Sequence, residues 1–195
     1  MRSTYPRSTL VSVAGFGTCA VPRDCGFTLQ NRGAGFVLSE GHPNCVAPGK
    51  RPYHTIIPAM ATKASSGDIF LCYGVMGAFM QPQGHVQVLL NTLRGLTVQS
   101  ALDAPRVCVG VGVDEDYNTA NKAAARPLIY LEEGISQQTA DELAKMGHKV
   151  KLLTGHQRAQ FGRGQVIQRI QRGQGLPAWT AGSDMRADGQ AVAQV

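Results

Sequence analysis

The run GVMGAFMQPQGH, residues 74–85, carries no charge and sets small residues beside methionine and phenylalanine just before a helix-like segment. Small side chains let main-chain N–H groups come close to a neighbour. One use of such a stretch is a turn that brings backbone donors to a ligand. The other is a tightly packed strand-to-helix corner that binds nothing.

The remaining reactive side chains narrow the chemistry. Cysteines stand at 19, 25, 45, 72 and 108, with no CxxC pair. An odd count in a chain of 195 residues fits reduced thiols better than a disulfide framework, and unpaired thiols favour a cytoplasmic setting. The five histidines do not supply the short ligand spacings of a zinc site. The net charge is +6, and its densest stretch is Arg158, Arg163, Arg169 and Arg172. Few aromatics interleave with these arginines, so a solvated basic face is expected rather than a nucleic-acid surface. The first residues, MRSTYPRSTLVSVAGFGTCAV, resemble a signal peptide loosely, but Ser12, Gly15 and Gly17 break the apolar run. No stretch approaches the roughly 18–20 apolar residues of a membrane span.

Charged residues make up 16% of the chain, below the usual quarter or so. With 23 glycines, that balance predicts a piece whose surface packs on something else. The elements that must hold 74–85 in place read as follows. Residues 17–36 suggest strand, turn, strand, with a further strand at 36–38. Residues 40–52 are rich in proline and glycine and read as loop. A strand over 53–62, a turn at KASSGD and an apolar strand at 69–75, buried on both faces, make a hairpin. A helix follows, with Pro82 in its first turn and Val86, Leu89, Leu90 and Leu93 as its inward stripe. Gly95 ends it. A short helix opens at Thr97 as N-cap and stops before Pro105. Strands are expected at RVCVGVGV and at 128–133, with an exposed loop at 114–126 between them. Ser136 caps a helix whose Ala140, Leu143 and Ala144 face inward, Gly147 closes it, and a strand runs over 149–153. The tail, 160–195, reads as short strands and turns. The fold class is α+β, with helices on one side of mostly antiparallel strands.

Several blocks taken together resemble a known family. GFGT (15–18), FTLQNRGAGF (27–36), HPNCVAPGKRPYHTIIPAM (42–60), GVMGAFMQPQGHVQVLLN (74–91), ALDAPR (101–106), LAKMGHKV (143–150), FGRGQ (161–165) and SDMRADGQAV (183–192) are similar to the small-subunit half of the γ-glutamyltransferase family, in its order. The likeness is greatest to its γ-glutamyltransferase-like branch. The resemblance implies part of an N-terminal nucleophile (Ntn) hydrolase, a four-layer αββα sandwich, with no cofactor or metal. In that family a precursor cleaves itself and the new N-terminal threonine attacks amide bonds, its α-amino group serving as base. An acyl-enzyme forms and passes to water or an amine.

By the same resemblance, Gly77 and Ala78 take the places whose N–H groups form the oxyanion hole. The family usually has glycine at the second place. An alanine is compatible there if its φ stays negative. Asn31 and Arg32 align with the loop that holds the substrate's α-amino and carboxylate groups. Gly35 replaces the acidic residue expected near the end of that motif, which turns the expectation for Arg32 towards an anionic or dicarbonyl acyl group. A structural ion pair is the alternative for Arg32. His54 and Thr55 replace the family's paired serines beside the carboxylate, and a core histidine is the alternative for His54. Gln81, Gln83 and His85 either support the pocket from behind or cap the helix. Asp184 and Arg186 resemble a structural turn and salt bridge, with Met185 where the family usually has proline.

The family's nucleophilic threonine lies well upstream of the Phe of GFGT, whereas only fifteen residues precede Phe16. Thr4 is not assigned that role, because its spacing is too short. The expected partner is the large subunit of a heterodimer, and the expected substrate a γ-glutamyl or other small amide, with no nucleic acid and no membrane segment. Two functions stay open: a truncated amidohydrolase that is inactive alone, and a non-catalytic module that pairs with a separately encoded large subunit.

Overall fold

The computed structural model describes residues 17–27, 29–110, 128–171 and 173–193. The expected loop at 114–126 and Thr4 lie outside them. Two compact units divide the chain, 1–56 and 57–195.

The described residues of the first unit have little regular structure. Thr18 N–H donates to Leu29 O (2.9 Å) and Leu29 N–H to Ala20 O (2.9 Å), which gives the expected strand–turn–strand path without full strands. Arg32–Gly35 forms one 3-10 turn. The strand expected at 36–38 is reduced to a bridge between Val37 and Cys45. Pro43, Pro48 and Pro52 leave too few consecutive donors for a longer ladder.

The described residues of the second unit form two sheets. Strands β1 (Ala59–Thr62), β2 (Ile69–Met76), β6 (Arg163–Gln171) and β7 (Pro177–Ser183) form an antiparallel sheet in the order β1-β2-β6-β7. Strands β3 (Val107–Gly110), β4 (Leu128–Glu132) and β5 (Lys149–Leu153) form the other, with β4 and β5 parallel. The helices are α1 (Met80–Leu93), α2 (Val98–Asp103) and α3 (Gln137–Lys145). The class is α+β, as the sequence implies.

The β1–β2 hairpin forms with Met60 opposite Cys72, but β1 begins only at Ala59. Pro58 has no N–H to offer a ladder, so 53–58 stays outside the sheet. β2 is covered on one face rather than both. Leu71, Tyr73 and Val75 point into the core while Cys72 is exposed. Helices α1 and α2 pack on that inner side, where Val88, Val98, Leu102 and Val166 complete the cluster. Each such side chain contributes about 1.5–3 kcal/mol by leaving water.

The caps expected from the sequence are present. Thr97 accepts from Ser100 N–H at 3.1 Å, and Ser136 accepts from Thr139 N–H at 3.2 Å. Gly95 and Gly147 close their helices with positive φ. The stripe of α1 is displaced, however. Its buried residues are Met80, Gly84, His85, Val88 and Thr92. Val86 is 55% exposed and Leu93 60%. The helix turns its small-residue face to β2 because Gly84 allows the closest approach. A Cβ there would stand 2.6 Å from Val75 Cγ1. Along α3, Ala140 and Leu143 are half-buried, but Ala144 is exposed.

Candidate active site

The turn between β2 and α1 comprises Gly77, Ala78 and Phe79. Met80 N–H donates to Gly77 O (2.9 Å) and Gln81 N–H to Ala78 O (3.1 Å). These bonds satisfy the first helical donors without any capping side chain, and Pro82 has no N–H to satisfy. Among the described residues, no backbone hydrogen bond of a turn, loop or cap is donated by Gly77 or Ala78. Their two consecutive N–H groups sit at the positive end of a 14-residue helix.

The backbone here is unusual. Gly77 has φ of 132° and Ala78 has φ of 51°. The expected negative φ at Ala78 is therefore corrected. The turn needs a left-handed residue at this position, and alanine adopts that conformation at a cost of about 1–2 kcal/mol. Ala78→Gly is expected to raise the stability by up to about 1 kcal/mol, after allowing for the greater freedom of glycine in the unfolded chain. That corresponds to a rise in Tm of about 2–4 °C for a domain of this size. A thermal melt with an unchanged or lower Tm contradicts it.

The floor of the turn is a second glycine. A Cβ on Gly77 would lie 3.1 Å from Gly162 Cα, and one on Gly162 would lie 1.9 Å from Met76 O. The backbones of 76–77 and 162 are thus in direct contact. Beside them, Phe161 and Met80 are fully buried in the cluster that includes Cys108, Leu128, Tyr130 and Leu153. Burial pushes the Cys108 thiol up, with a bond to Gln160 opposing it, so Cys108 is an inert packing residue.

Gln83 and His85 hold α1 in place. Gln83 Nε2 donates to Val109 O (3.0 Å) and Phe79 O (3.1 Å), and Gln83 Oε1 accepts from Val109 N–H (2.7 Å). Gln87 repeats this one turn later with Val107, at 2.8 Å in each direction. Two side-chain amides thus pair with the free edge of β3 as a neighbouring strand would. His85 is buried, with Nε2 2.7 Å from Ile57 O and Nδ1 against Gln81 O. Its ring centroid lies 5.3 Å from that of Tyr73.

Sequence reasoning missed most of a buried ionic cluster behind this site. Asp184 accepts from Arg106 Nη2 (2.6 Å), Arg186 Nη1 (3.0 Å), Gly164 N–H (2.8 Å) and Arg186 N–H (3.0 Å). Glu132 accepts from Arg186 Nη2 (2.5 Å) and Nε (2.6 Å), Arg158 Nε (2.8 Å) and Arg106 N–H (2.8 Å). Glu132 is 0% exposed and Asp184 1%. Burial opposes ionisation of both carboxyls. The Arg106 and Arg186 charges at Asp184, and the Arg186 and Arg158 bonds at Glu132, outweigh it and hold both below the usual carboxylate range. The turn and salt bridge expected at Asp184 and Arg186 form part of this cluster. The only advance signal for Glu132 was a carboxylate ending an otherwise apolar strand.

In the first unit, Arg32 Nε donates to Thr55 Oγ1 (3.1 Å), which brings two of the expected substrate-binding residues together. Asn31 N–H bonds Gln30 Oε1 (2.9 Å) at the start of the 3-10 turn. His54 is exposed and outside any strand, against the core-histidine alternative. No ion pair to Arg32 is present among the described residues.

The Gamma-glutamyltranspeptidase family model matches residues 8–194. The chain is 32% identical over 178 residues to the Glutathione hydrolase-like YwrD proenzyme of Bacillus subtilis, covering 91% of this chain and 31% of that protein. It is 30% identical over 153 residues to the Oxamate amidohydrolase proenzyme of Klebsiella pneumoniae, covering 78% of this chain and 27% of that one. A cephalosporin acylase from Bacillus halodurans superposes with a TM-score of 0.64 at 38% identity, over 87% of this chain and 28% of that chain. The chain therefore spans about a third or less of the length of these relatives. The antiparallel sheet and its helices correspond to roughly the small-subunit half of the Ntn-hydrolase fold. Family model, relatives and fold agree: the chain belongs to the γ-glutamyltranspeptidase family.

Proposed function

We propose that these residues are the small-subunit portion of an Ntn amidohydrolase that cleaves γ-glutamyl or related amide bonds through an acyl-enzyme. The observation that carries this reading is the pair of adjacent N–H groups at Gly77 and Ala78, unengaged in the turn and set at a helix start. When a threonine hydroxyl attacks the amide carbonyl, its proton goes to the α-amino group and negative charge gathers on the carbonyl oxygen. Two fixed donors about 3 Å away stabilise that charge. The α-ammonium returns that proton to the amine nitrogen as the C–N bond breaks, and water or a second amine then takes the acyl group. Asn31, Arg32, His54 and Thr55 bind the acyl group. The Arg32 fork suits an anionic or dicarbonyl group, in keeping with the oxamate named for one relative. Gln81, Gln83 and His85 fix the helix that carries the donors.

In this reading the attacking threonine and the large-subunit partner are supplied from outside the described residues, and the chain by itself is expected not to hydrolyse amides. The exposed Val86, Leu90 and Leu93 on α1 suit a surface that such a partner covers. The test uses γ-glutamyl-anilide. The chain alone is expected to give no turnover above the uncatalysed rate. Assembled with the threonine-bearing segment and large subunit of the Bacillus subtilis relative, it is expected to turn over. In that assembly, replacing the Ala78 N–H by an ester oxygen is expected to lower kcat about 10²-fold. Turnover by the chain alone, or an unchanged kcat in the ester variant, overturns the reading.

A further inference from the structure

We infer that Arg106 is a positioning residue for the Gly77–Ala78 donors, acting through the main chain of Phe161 and Gly162. Its side chain is buried and tied on both arms of the guanidinium. Nη1 donates to Phe161 O (3.0 Å) and Gly162 O (3.4 Å), while Nη2 donates to Asp184 Oδ2 (2.6 Å) and Leu102 O (3.0 Å). The same Asp184 oxygen takes Gly164 N–H. Arg106 and Asp184 therefore clamp the entry to β6 at both 161–162 and 164.

That clamp sets the level of the turn above it. Gly162 leaves no room for a Cβ against Met76 O, and its Cα underlies Gly77. Phe161, held through its carbonyl, packs in one cluster with Met80, whose N–H fixes Gly77 O. A close-packed interior transmits such displacements rather than absorbing them, so movement of 161–162 moves the N–H vectors of 77 and 78. The planar fork of arginine is what this requires. A lysine keeps the charge beside Asp184 but gathers its three donors on one nitrogen, and cannot span the carboxylate and the Phe161 and Gly162 carbonyls as the two Nη atoms do.

The importance of these donors rests on the oxyanion reading above, but the test does not. It reads the N–H groups themselves in the 195-residue chain by 15N relaxation, whether or not any amide is cleaved. In the parent chain, Gly77 and Ala78 are expected to show order parameters near the rigid-backbone value of about 0.85. Arg106→Lys is expected to lower them below about 0.6 at 77, 78 and 161–164, with Val88 in the middle of α1 unchanged. Arg158→Lys, which touches Glu132 but neither the clamp nor the turn, is expected to leave 77 and 78 rigid. Should Arg106→Lys not fold, Asp184→Asn serves in its place, since it weakens the other arm of the clamp, with the same expected pattern. Two results overturn the inference: loss of order confined to 161–164 with 77 and 78 still rigid, or an even loss of order that includes Val88.

Discussion

Gly162→Ala is expected to cost more than about 4 kcal/mol of folding stability, in the range reserved for a few severe mechanisms. Two of these act together. The residue has φ of 72°, which an alanine adopts at a cost of about 1–2 kcal/mol. Its added Cβ would stand 1.9 Å from the Met76 carbonyl oxygen, a backbone atom at the end of β2 that has no rotamer to change. Relief requires separating β2 from β6 where Met76 pairs with Arg163, which opens the sheet beneath the Gly77 turn. For a chain of this length the loss corresponds to a fall in Tm of about 10 °C or more. Gly74→Ala is the matched control: the same substitution on the same pair of strands, with nothing within 4 Å of the new Cβ. It is expected to change stability by no more than about 0.5 kcal/mol. Equal melts for the two variants would show that the 76–162 contact does not constrain the fold.

Asp184→Ala is expected to destabilise the chain by about 3–5 kcal/mol, because it leaves the buried Arg106 and Arg186 charges short of a partner. The exposed Asp68–Arg169 pair, at 2.7 Å, is the contrast. Asp68→Ala there should leave the unfolding midpoint close to that of the parent chain, because water screens an exposed pair. Urea unfolding with linear extrapolation measures both. The cluster also sets the response to acid. The folded-state pKa values of Asp184 and Glu132 lie below their ordinary values. Their contribution is therefore present above the ordinary carboxylate range and lost as pH falls through the depressed folded values. The Tm of the parent chain should drop as pH is lowered below about 4, and less steeply in Asp184→Ala. A steeper acid decline in the variant would refute this account.

Local chemistry was legible in the sequence and long-range register was not. Thr97, Ser136, Gly95 and Gly147 act within one turn of their own position, so composition alone located their helix ends. Strands β4 and β5 were bounded to within a residue because turn residues flank short apolar runs. The face of α1 was misread because Leu90 and Leu93 are apolar yet exposed, while Gly84 and His85 press inward. Only the width of the gap to Val75 decides that, and a heptad count contains no such width. At the site, the consecutive small residues pointed to Gly77 and Ala78, but the left-handed φ of Ala78 came from the path the chain must follow. Glu132 and Arg106 were missed as a pair for the same reason: 26 residues separate them, and no periodicity links a strand end to a helix exit.

The pairing of Gln83 and Gln87 with Val107 and Val109 works as a ruler. Four residues of helix rise about 6.0 Å, and two residues of strand about 6.8 Å, so two amide rungs match and a third would drift out of step. Inserting or deleting one residue between Ala78 and Gln83 would rotate both amides off the β3 edge by about 100°, and one between Gln83 and Gln87 would take the two rungs out of step with each other. Length changes beyond Gln87 would leave the rungs intact. Natural variation in the length of α1 should therefore collect at its far end, near Gly95, while the spacing from the donor turn to the second rung stays constant.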